Sequence, residues 1–312
     1  MKNDESPFPP GEGLGERLSV MPLISFIVTY HNEPEAYLQD CLDSIQALHL
    51  SQEEAEIVVV DDGSKVPPTF TGRRGIRYIR QEQSGLSVAR NTGIKHSNGQ
   101  YLQFVDADDY LFPSAYEVVL AQIKHQSPDI VMFRMTEKPL PHPPVSSSSR
   151  SYKAEHGGNR FLKHRNLRAA AWGYAFKRQT MGDLRFHPDI FHEDELFTPL
   201  LFLRAETLVE LETRAYYYRQ HEGSITRTVT PLVVAKRLDD IIFIIRSLKS
   251  YGNPILERRI RQLTLDYLQK TWALTHSPKE WRRRAHELRS EGFLPLPIRC
   301  YSLRYFLASL FV

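Results

Sequence analysis

The sequence predicts an α/β fold in which a central, mostly parallel sheet is flanked by helices, followed by a helical C-terminal region. From residue 21, short runs rich in β-branched and aromatic residues alternate with segments of helical periodicity, which is typical of parallel sheets. Residues 232–289 have helical periodicity throughout. The 312 residues are enough to bury a large core in one or two domains.

Five apolar runs are expected to form strands, at residues 24–29, 56–60, 76–79, 101–105 and 129–133. A helix should follow the first strand because apolar residues recur at helical spacing from Leu38 to Leu48, and Glu33 and Glu35 near its start favour the helix dipole. A second helix is expected at residues 86–94. Residues 137–151 predict a loop or linker, because the segment KPLPHPPVSSSSR within them has four prolines and four serines.

Composition limits the possible partners and location. The net charge is +3, from 40 Lys and Arg against 37 Asp and Glu, so no overall field favours nucleic acid as a partner. Cys41 and Cys300 suit neither a disulfide framework nor a metal motif, which predicts a reducing compartment. Residues 1–20 read as a polar, disordered tail, and no apolar run is long enough for a transmembrane helix. We therefore expect a cytoplasmic catalytic unit.

Acidic residues follow the strand at residues 101–105, where Asp106, Asp108 and Asp109 succeed one another. In an extended backbone, Asp106 and Asp108 would point the same way. Their mutual repulsion would be relieved by a hard divalent cation together with a diphosphate. This pattern predicts a metal site, and a solvated acidic turn is the alternative.

Two further strands end in polar residues. Thr29 ends the first predicted strand, and Asp61, Asp62 and Gly63 follow the second. Ligands of open α/β sheets bind at the carboxyl edge of the strands, so these groups and the later acidic residues should line one crevice. A simple strand-to-loop turn is the alternative for the second motif.

Several other motifs are incomplete. The glycine-rich residues 11–16 lack the third glycine and the preceding strand of a dinucleotide site, and no P-loop occurs. His192 and Glu193 lack the second histidine of a zinc protease, because position 196 is Leu. The Asp106 segment also lacks the later ligands of an EF-hand.

In order along the chain, ISFIVTYHNEPEAYLQDCLDSI, EIVVVDDGS, SGLSVARNTGI and YLQFVDADD resemble the family 2 glycosyltransferases, which have the GT-A fold. The resemblance covers residues 22–112 with few gaps and continues more loosely to about residue 227, through HEDELF and YYYRQHEGSIT. It implies an inverting glycosyltransferase with a nucleoside diphosphate sugar donor, expected to be a UDP-sugar, and with Mg²⁺ or Mn²⁺. The implied acceptor is a saccharide or lipid-linked saccharide, used in assembling a cell-surface polysaccharide.

The resemblance also implies roles for particular residues. Thr29 would lie against the nucleoside and Asp62 would bind the base, with Asp61 beside it. Gly85 and Arg90 would line the nucleotide. This chain departs from the many relatives that have an aromatic residue at position 31, because it has His31 there, which puts the stacking contribution at the base in doubt.

The remaining implied roles concern the metal, the diphosphate and the proton transfer. Asp106 would face the ribose or the metal, and Asp108 would be the direct metal ligand. Asp194 is assigned as the general base that deprotonates the acceptor. Arg219, with His221 and Ser224, would close over the diphosphate, although Arg219 reads equally well as a surface cation.

The implied organisation is a GT-A domain at residues 21–230, with a nucleotide-sugar half (21–112) and an acceptor half (113–230), followed by a helical region at 231–312. Residues 295–312 are apolar and aromatic, and two hypotheses fit them. Either they lie on a membrane surface through Trp281, Tyr301, Tyr305 and Phe306, or they pack on the protein's own core.

Two alternative functions also stay open. A non-catalytic, nucleotide-binding scaffold would have a degenerate site, whereas Asp108 and Asp194 are intact here. A nucleotidyltransferase would carry a glycine-rich, basic loop after the first strand, where this chain has YHNEPEAY.

Overall fold

The computed structural model describes residues 21–69, 75–139, 145–152, 156–220 and 230–310. The strands are β1 (Ile24–Tyr30), β2 (Ala55–Asp62), β3 (Ile76–Gln81), β4 (Tyr101–Asp106), β5 (Tyr110–Leu111), β6 (Ile130–Thr136), β7 (Ser149–Tyr152), β8 (Tyr174–Lys177) and β9 (Leu208–Tyr217). The helices are α1 (Glu35–Gln46), α2 (Leu86–Lys95), α3 (Pro113–Gln126), α4 (Gly157–His164), α5 (Arg178–Met181), α6 (Asp194–Arg204), α7 (Pro231–Ser250), α8 (Glu257–Thr275), α9 (Pro278–Ser290) and α10 (Leu303–Ser309). The expectations for residues 1–20, His221 and Ser224 lie outside the described residues.

The nine strands of the described residues belong to one sheet, in the order β3-β2-β1-β4-β8-β6-β9-β5, with β7 paired to β9. The strands from β3 to β4 are all parallel. Beyond β4 the sheet is mixed, because β8 runs antiparallel to both β4 and β6, whereas β9 runs parallel to β6. The predicted α/β fold with a mostly parallel central sheet is confirmed, and the five predicted strands correspond to β1, β2, β3, β4 and β6.

Helices cover both faces of the sheet. Alternate residues of β1 point to opposite sides, so that Ile27 packs in one hydrophobic cluster and Phe26 and Val28 in the other. The second cluster includes the apolar stripe of α1, whose Leu38, Leu42 and neighbours are fully buried as their helical spacing predicts. The first cluster extends from the sheet through α6 to the C-terminal helices, so these helices share a core with the sheet.

The structure corrects two expectations about secondary structure. The last part of the predicted linker at residues 137–151 is strand β7, which pairs antiparallel with β9. Its serines and arginine are exposed and only Tyr152 is buried, so no apolar pattern marks it. The helix α1 begins at Glu35, so Glu33 precedes it and takes no part in its first turn.

The C-terminal helices begin at local capping signals. Thr230 and Ser277 each accept a hydrogen bond from a backbone N–H in the first turn, and a proline follows each of them. Ser302 caps α10 in the same way by accepting from the Tyr305 N–H at 3.0 Å. None of the helices in the described part of the chain is long and apolar enough to cross a bilayer.

Three of the four aromatic residues on which the membrane hypothesis depended pack against the protein, and the fourth, Phe306, is half-buried. Tyr305 is buried, and Trp281 and Tyr301 pack against the first hydrophobic cluster. Phe293, Leu294 and Leu296 are also buried. Trp281, Tyr301 and Tyr305 therefore pack on the protein's own core, as the second hypothesis expects, whereas membrane binding stays a prediction. By contrast, the leucines of α10, Leu303 and Leu307, are exposed to solvent.

Candidate active site

The parallel register brings the predicted site residues to one edge of the sheet. Thr29 of β1 is the Cα partner of Asp106 in β4, and Tyr30 is the partner of Asp61 in β2. The carboxyl ends of three neighbouring strands therefore meet where the sequence predicted a crevice. Thr29 itself is buried, and its carbonyl accepts a hydrogen bond from the Ala107 N–H at 3.2 Å.

Asp61 fixes the turn that follows β2. Its buried carboxylate accepts hydrogen bonds from the Ser64 N–H at 2.8 Å and from the Tyr78 hydroxyl at 2.6 Å. Burial alone would raise the pKa of Asp61, but these hydrogen bonds and the nearby Arg80 hold it below its usual value. Asp61 therefore stays ionised although it is buried, and it holds the turn after β2 in place.

Asp62 organises the loop that leads into α2. Its Oδ1 accepts from the Gln81 amide at 2.7 Å and from the Ser84 N–H at 2.8 Å, and its Oδ2 accepts from the Gly85 N–H at 2.7 Å. A carboxylate has about four acceptor positions, so these three contacts leave room for one more donor, on Oδ2. Gly85 has a φ of 88° and open space around its α-carbon.

His31 lies at the rim of this loop. Its Nδ1 is 2.7 Å from the Asp62 carbonyl oxygen, which can only accept, so Nδ1 carries the proton. Its Nε2 then accepts from the Asn32 amide at 2.9 Å. Both ring nitrogens are used, and the ring is held in one orientation beside the expected base site.

The three aspartates after β4 differ in their surroundings. The strand ends at Asp106, and Asp108 and Asp109 lie in the turn between β4 and β5, so the alternation expected for an extended strand does not continue to Asp108. Asp106 and Asp108 are half-buried, whereas Asp109 is fully buried. Burial and the charges of Asp106 and Asp108 raise the pKa of Asp109 to about 9.

Asp109 has a structural partner in β9. Its Oδ2 accepts from the Tyr216 hydroxyl at 2.8 Å, and its Oδ1 accepts from the Arg219 N–H at 2.7 Å. The Tyr216 hydroxyl also accepts from the Asp106 N–H at 3.1 Å. The indole of Trp172 stacks on Tyr216, with ring centroids 4.5 Å apart. These contacts hold the turn that contains Asp108 and Asp109 against β9, in the second half of the sheet.

Arg90 lies buried between the two halves of the site. One of its terminal nitrogens donates to Asp106 Oδ1 at 3.1 Å and the other donates to Glu193 Oε1. Its guanidinium lies above the rings of Phe104 and Phe186, at 5.8 and 5.4 Å from their centroids. Burial would lower the pKa of Arg90, but the charges of Asp106, Glu193 and Asp194 raise it, so the side chain stays a cation.

Asp194 begins α6, where carboxylates interact favourably with the helix dipole. Burial, together with the charges of Glu193 and Glu195, raises the pKa of Asp194 well above its usual value, and Arg90 and Arg259 oppose that shift. A carboxylate with a raised pKa accepts a proton more readily near neutral pH. The environment therefore suits the expected proton acceptor.

The family model that describes glycosyl transferase family 2 matches residues 25–181, which include the carboxyl ends of β1, β2 and β4. The chain belongs to glycosyl transferase family 2.

Relatives agree with this membership. The chain is 30% identical over 222 residues to the uncharacterized glycosyltransferase EpsJ of Bacillus subtilis, in a match that covers 66% of this chain and 64% of EpsJ. It is 29% identical over 249 residues to glycosyltransferase GlyA of Streptococcus pneumoniae, which covers 74% of this chain and 35% of GlyA. The chain thus spans less than two thirds of the length of either relative.

Solved structures confirm the fold. The structure of S. aureus TarS 1-349 in complex with UDP-GlcNAc superposes with a TM-score of 0.61 and 19% identity, covering 92% of this chain and 79% of that one. The complex of the same protein with UDP gives a TM-score of 0.55 and 19% identity, covering 89% of this chain and 75% of that one. The GT-A fold expected from the family resemblance is therefore confirmed.

Within this family 2 fold, Arg219 is not a free surface cation. Its Nε donates to the Asp108 carbonyl at 2.8 Å, and one terminal nitrogen donates to Asp40 Oδ2 at 2.8 Å. Its guanidinium lies 4.0 Å from the centroid of the Tyr37 ring. Arg219 thus connects α1 to the acidic turn, and its contact with a diphosphate stays a prediction.

The carboxylates after β4 suit a divalent cation that binds together with a diphosphate. Among the residues that the structure describes, no three His, Cys, Asp or Glu side chains form a complete metal cage. Mg²⁺ commonly uses one or two carboxylates and completes its shell with phosphate oxygens and water. Asp106, with one oxygen bonded to Arg90, and Asp108 could supply those carboxylates.

Sequence reasoning missed two acidic residues near this site. Burial, and more weakly the charges of Asp108 and Asp106, raise the pKa of Glu33, which places its carboxylate within their electrostatic reach. Glu193 entered the sequence analysis only through the incomplete zinc-protease motif and the HEDELF segment, yet it is the partner of Arg90. The acidic pattern HEDE marked its position but did not reveal its partner.

Proposed function

We propose that this protein is an inverting, metal-assisted glycosyltransferase that moves a sugar from a UDP-sugar to a hydroxyl of a saccharide or lipid-linked saccharide. The observation that carries the proposal is the bridge made by Arg90. This single buried cation joins Asp106, on the expected donor side, to Glu193, which precedes the expected base. Donor and acceptor groups would therefore be held at opposite walls of one crevice.

On the donor side, the base and ribose would lie along the loop that Asp62 organises. The remaining acceptor position of Asp62 Oδ2 suits an N–H group of a nucleobase. Thr29 and Gly85 would leave room for the nucleoside close to the backbone, because Gly85 has no neighbouring atom where a side chain would project. The choice of UDP draws on the TarS complexes with UDP-GlcNAc and UDP.

Asp106 and Asp108 would hold the divalent cation. When bound, this cation stabilises the negative charge that develops on the leaving diphosphate. Burial and the charge of Asp108 raise the pKa of Asp106, and the positive charge of Arg90 opposes that rise. Without the guanidinium, Asp106 would be a weaker anionic ligand.

The transfer would be a single displacement. The acceptor hydroxyl oxygen forms a bond to the anomeric carbon while the bond from that carbon to the diphosphate oxygen breaks, and its electron pair stays on the nucleoside diphosphate. The hydroxyl proton passes to a carboxylate oxygen of Asp194. Attack from the side opposite to the leaving group inverts the anomeric centre.

For the acceptor, we favour a growing cell-surface polysaccharide, as the family resemblance implies. One relative whose name states a polymeric acceptor is the poly(ribitol-phosphate) beta-N-acetylglucosaminyltransferase TarS of Staphylococcus aureus, at 26% identity over 220 residues. The protein would act in the cytoplasm, at the cytoplasmic face of the membrane where a lipid-linked acceptor is accessible.

The first experiment is a donor screen with the purified protein, a panel of nucleotide sugars, and Mg²⁺ or Mn²⁺, in which release of the free nucleoside diphosphate is measured. Asp108→Ala and Asp194→Asn are the test variants. Glu53→Gln is the matched control, because Glu53 is an exposed carboxylate far along the chain from these residues. We expect metal-dependent release from one donor, a loss of about 10²-fold or more in both test variants, and no change in the control.

The outcomes separate the alternatives. If nucleotide binds to the wild type but no donor turns over with any acceptor, the protein is a nucleotide-binding scaffold and the proposal fails. If turnover survives in Asp194→Asn, the base assignment is wrong. The anomeric configuration of the product, measured by NMR, tests inversion separately.

A further inference from the structure

The short helix α10 has two apolar faces. Tyr305 and Ser309 are buried on its inner face. Leu303, Leu307 and Leu310 recur at positions i, i+4 and i+7, so they share the outer face. Their exposed fractions are 75%, 49% and 50%. A helix that packs on its own protein needs only one apolar face, so the second face requires another explanation.

Exposed apolar and basic residues also lie just before this face in the sequence. Ile298, which precedes α10, is 60% exposed, and Arg299 beside it is exposed. These exposed residues are close in sequence to the outer leucines, and we call the set Ile298, Arg299, Leu303, Leu307 and Leu310 the C-terminal face. Surface apolar residues beside cations are typical of helices that lie in a membrane interface.

Charge is distributed unevenly along the chain. Residues 231–312 contain 15 Lys and Arg against seven Asp and Glu, a net charge of +8. Residues 1–230 contain 25 Lys and Arg against 30 Asp and Glu, a net charge of −5. The small overall charge of +3 therefore hides a strongly basic C-terminal region. Such a region is attracted to anionic lipid headgroups.

We propose that the C-terminal face docks the protein on the surface of an anionic bilayer. The leucines enter the boundary between headgroups and acyl chains, and the basic region supplies the electrostatic attraction. A second copy of the chain is a poorer occupant, because self-association through this face would bring together two regions that each carry a net charge of +8.

The docked face is connected to the acceptor half of the site. The Tyr301 carbonyl, just before α10, accepts from the Asn166 amide at 3.2 Å. Arg259 of α8 donates to the Leu167 carbonyl at 3.1 Å and to the carboxylate of Glu195, the residue after Asp194. Docking would therefore bring the acceptor half towards lipid-linked saccharides, but the docking itself does not depend on any reaction.

The test measures binding of the full chain to vesicles by sedimentation. Vesicles of phosphatidylcholine alone are compared with vesicles that also contain phosphatidylglycerol. The test variant combines Leu303→Ser, Leu307→Ser and Leu310→Ser. The matched control is Leu232→Ser, since Leu232 is 84% exposed on α7, outside the C-terminal face. Circular dichroism and urea unfolding establish that each variant is folded.

We expect the wild type and Leu232→Ser to bind the anionic vesicles, more weakly at high salt, and the triple variant to bind at least about tenfold more weakly. The proposal is overturned if the folded triple variant binds as the wild type does, or if the wild type ignores anionic vesicles. It is also overturned if sedimentation velocity shows a wild-type dimer that the triple variant loses. None of these readouts uses sugar transfer, so failure of the proposed function would leave them unaffected.

Discussion

Replacing Arg90 by Met should destabilise the protein strongly, because it removes the cation from a buried cluster of carboxylates. Only 3% of Arg90 is exposed, and its partner Glu193 is 7% exposed. Asp106 is more accessible, with 24% of its side chain exposed, and can regain some solvation from water. Methionine has an unbranched apolar side chain that can lie beside the rings of Phe104 and Phe186, which the guanidinium covers in the wild type, so we expect the lost charge to dominate the effect.

The magnitude follows from the uncompensated charge of Glu193. Removing one partner of a buried ion pair costs about 3–5 kcal/mol, mainly because the other charge stays buried. That is a large part of the roughly 5–15 kcal/mol by which a typical domain is stable. Glu193→Gln in the Arg90→Met background removes the remaining charge, so the double variant should regain about 1 kcal/mol or more.

Urea unfolding of the four proteins of this cycle, followed by circular dichroism, measures these differences. Arg282→Met is the control, because Arg282 is exposed on α9, and it should change the free energy of unfolding by less than about 0.5 kcal/mol. The reasoning fails if Arg90→Met costs no more than Arg282→Met, or if adding Glu193→Gln lowers stability further.

Two further predictions concern the loops around the site. Burial, with the charges of Lys270 and Arg237, lowers the pKa of His192 to about 4, so below pH 6.5 the unfolded state binds a proton that the folded state does not. Stability should therefore fall by about 2 kcal/mol from pH 7 to pH 5, as measured by urea unfolding, and His192→Asn should remove that part of the fall. Gly85→Ala should cost about 1–3 kcal/mol from backbone strain alone, because its φ of 88° with a ψ of 163° is a conformation that only glycine adopts readily, whereas Gly63→Ala should cost more, because strain at its φ of 73° is joined by a Cβ that would lie 2.7 Å from the Gln83 nitrogen. Equal losses in the two glycine variants, measured by thermal unfolding, would contradict this difference.

The sequence was most informative where the structural cause is local. Apolar runs that end in polar residues predicted β1, β2 and β4 and their shared edge, because the same few residues specify both the strand and its end. Strand β7 was missed because only Tyr152 of its four residues is buried. The strand forms through antiparallel pairing with β9, which its own residues do not reveal.

Long-range partners could not be predicted in the same way. Arg90 and Glu193 are 103 positions apart, and Tyr216 and Asp109 are 107 positions apart. Nothing in either local segment specifies the other, since any nearby cation or hydroxyl would satisfy the carboxylate. The C-terminal segment shows the same limit, because its composition predicted apolar contacts but not which face of α10 is already covered.

The contact between Arg259 and Glu195 has a consequence for engineering chimeras. Exchanging the C-terminal helices with those of another family 2 member, as a way to relocate the protein, would also exchange the cation that neutralises the first turn of α6. A graft that lacks an arginine at the equivalent position would leave Glu195 without its buried partner, next to Asp194. The recipient sequence therefore has to be chosen, or redesigned, at both ends of this ion pair, and a junction at residue 230 does not separate independent modules.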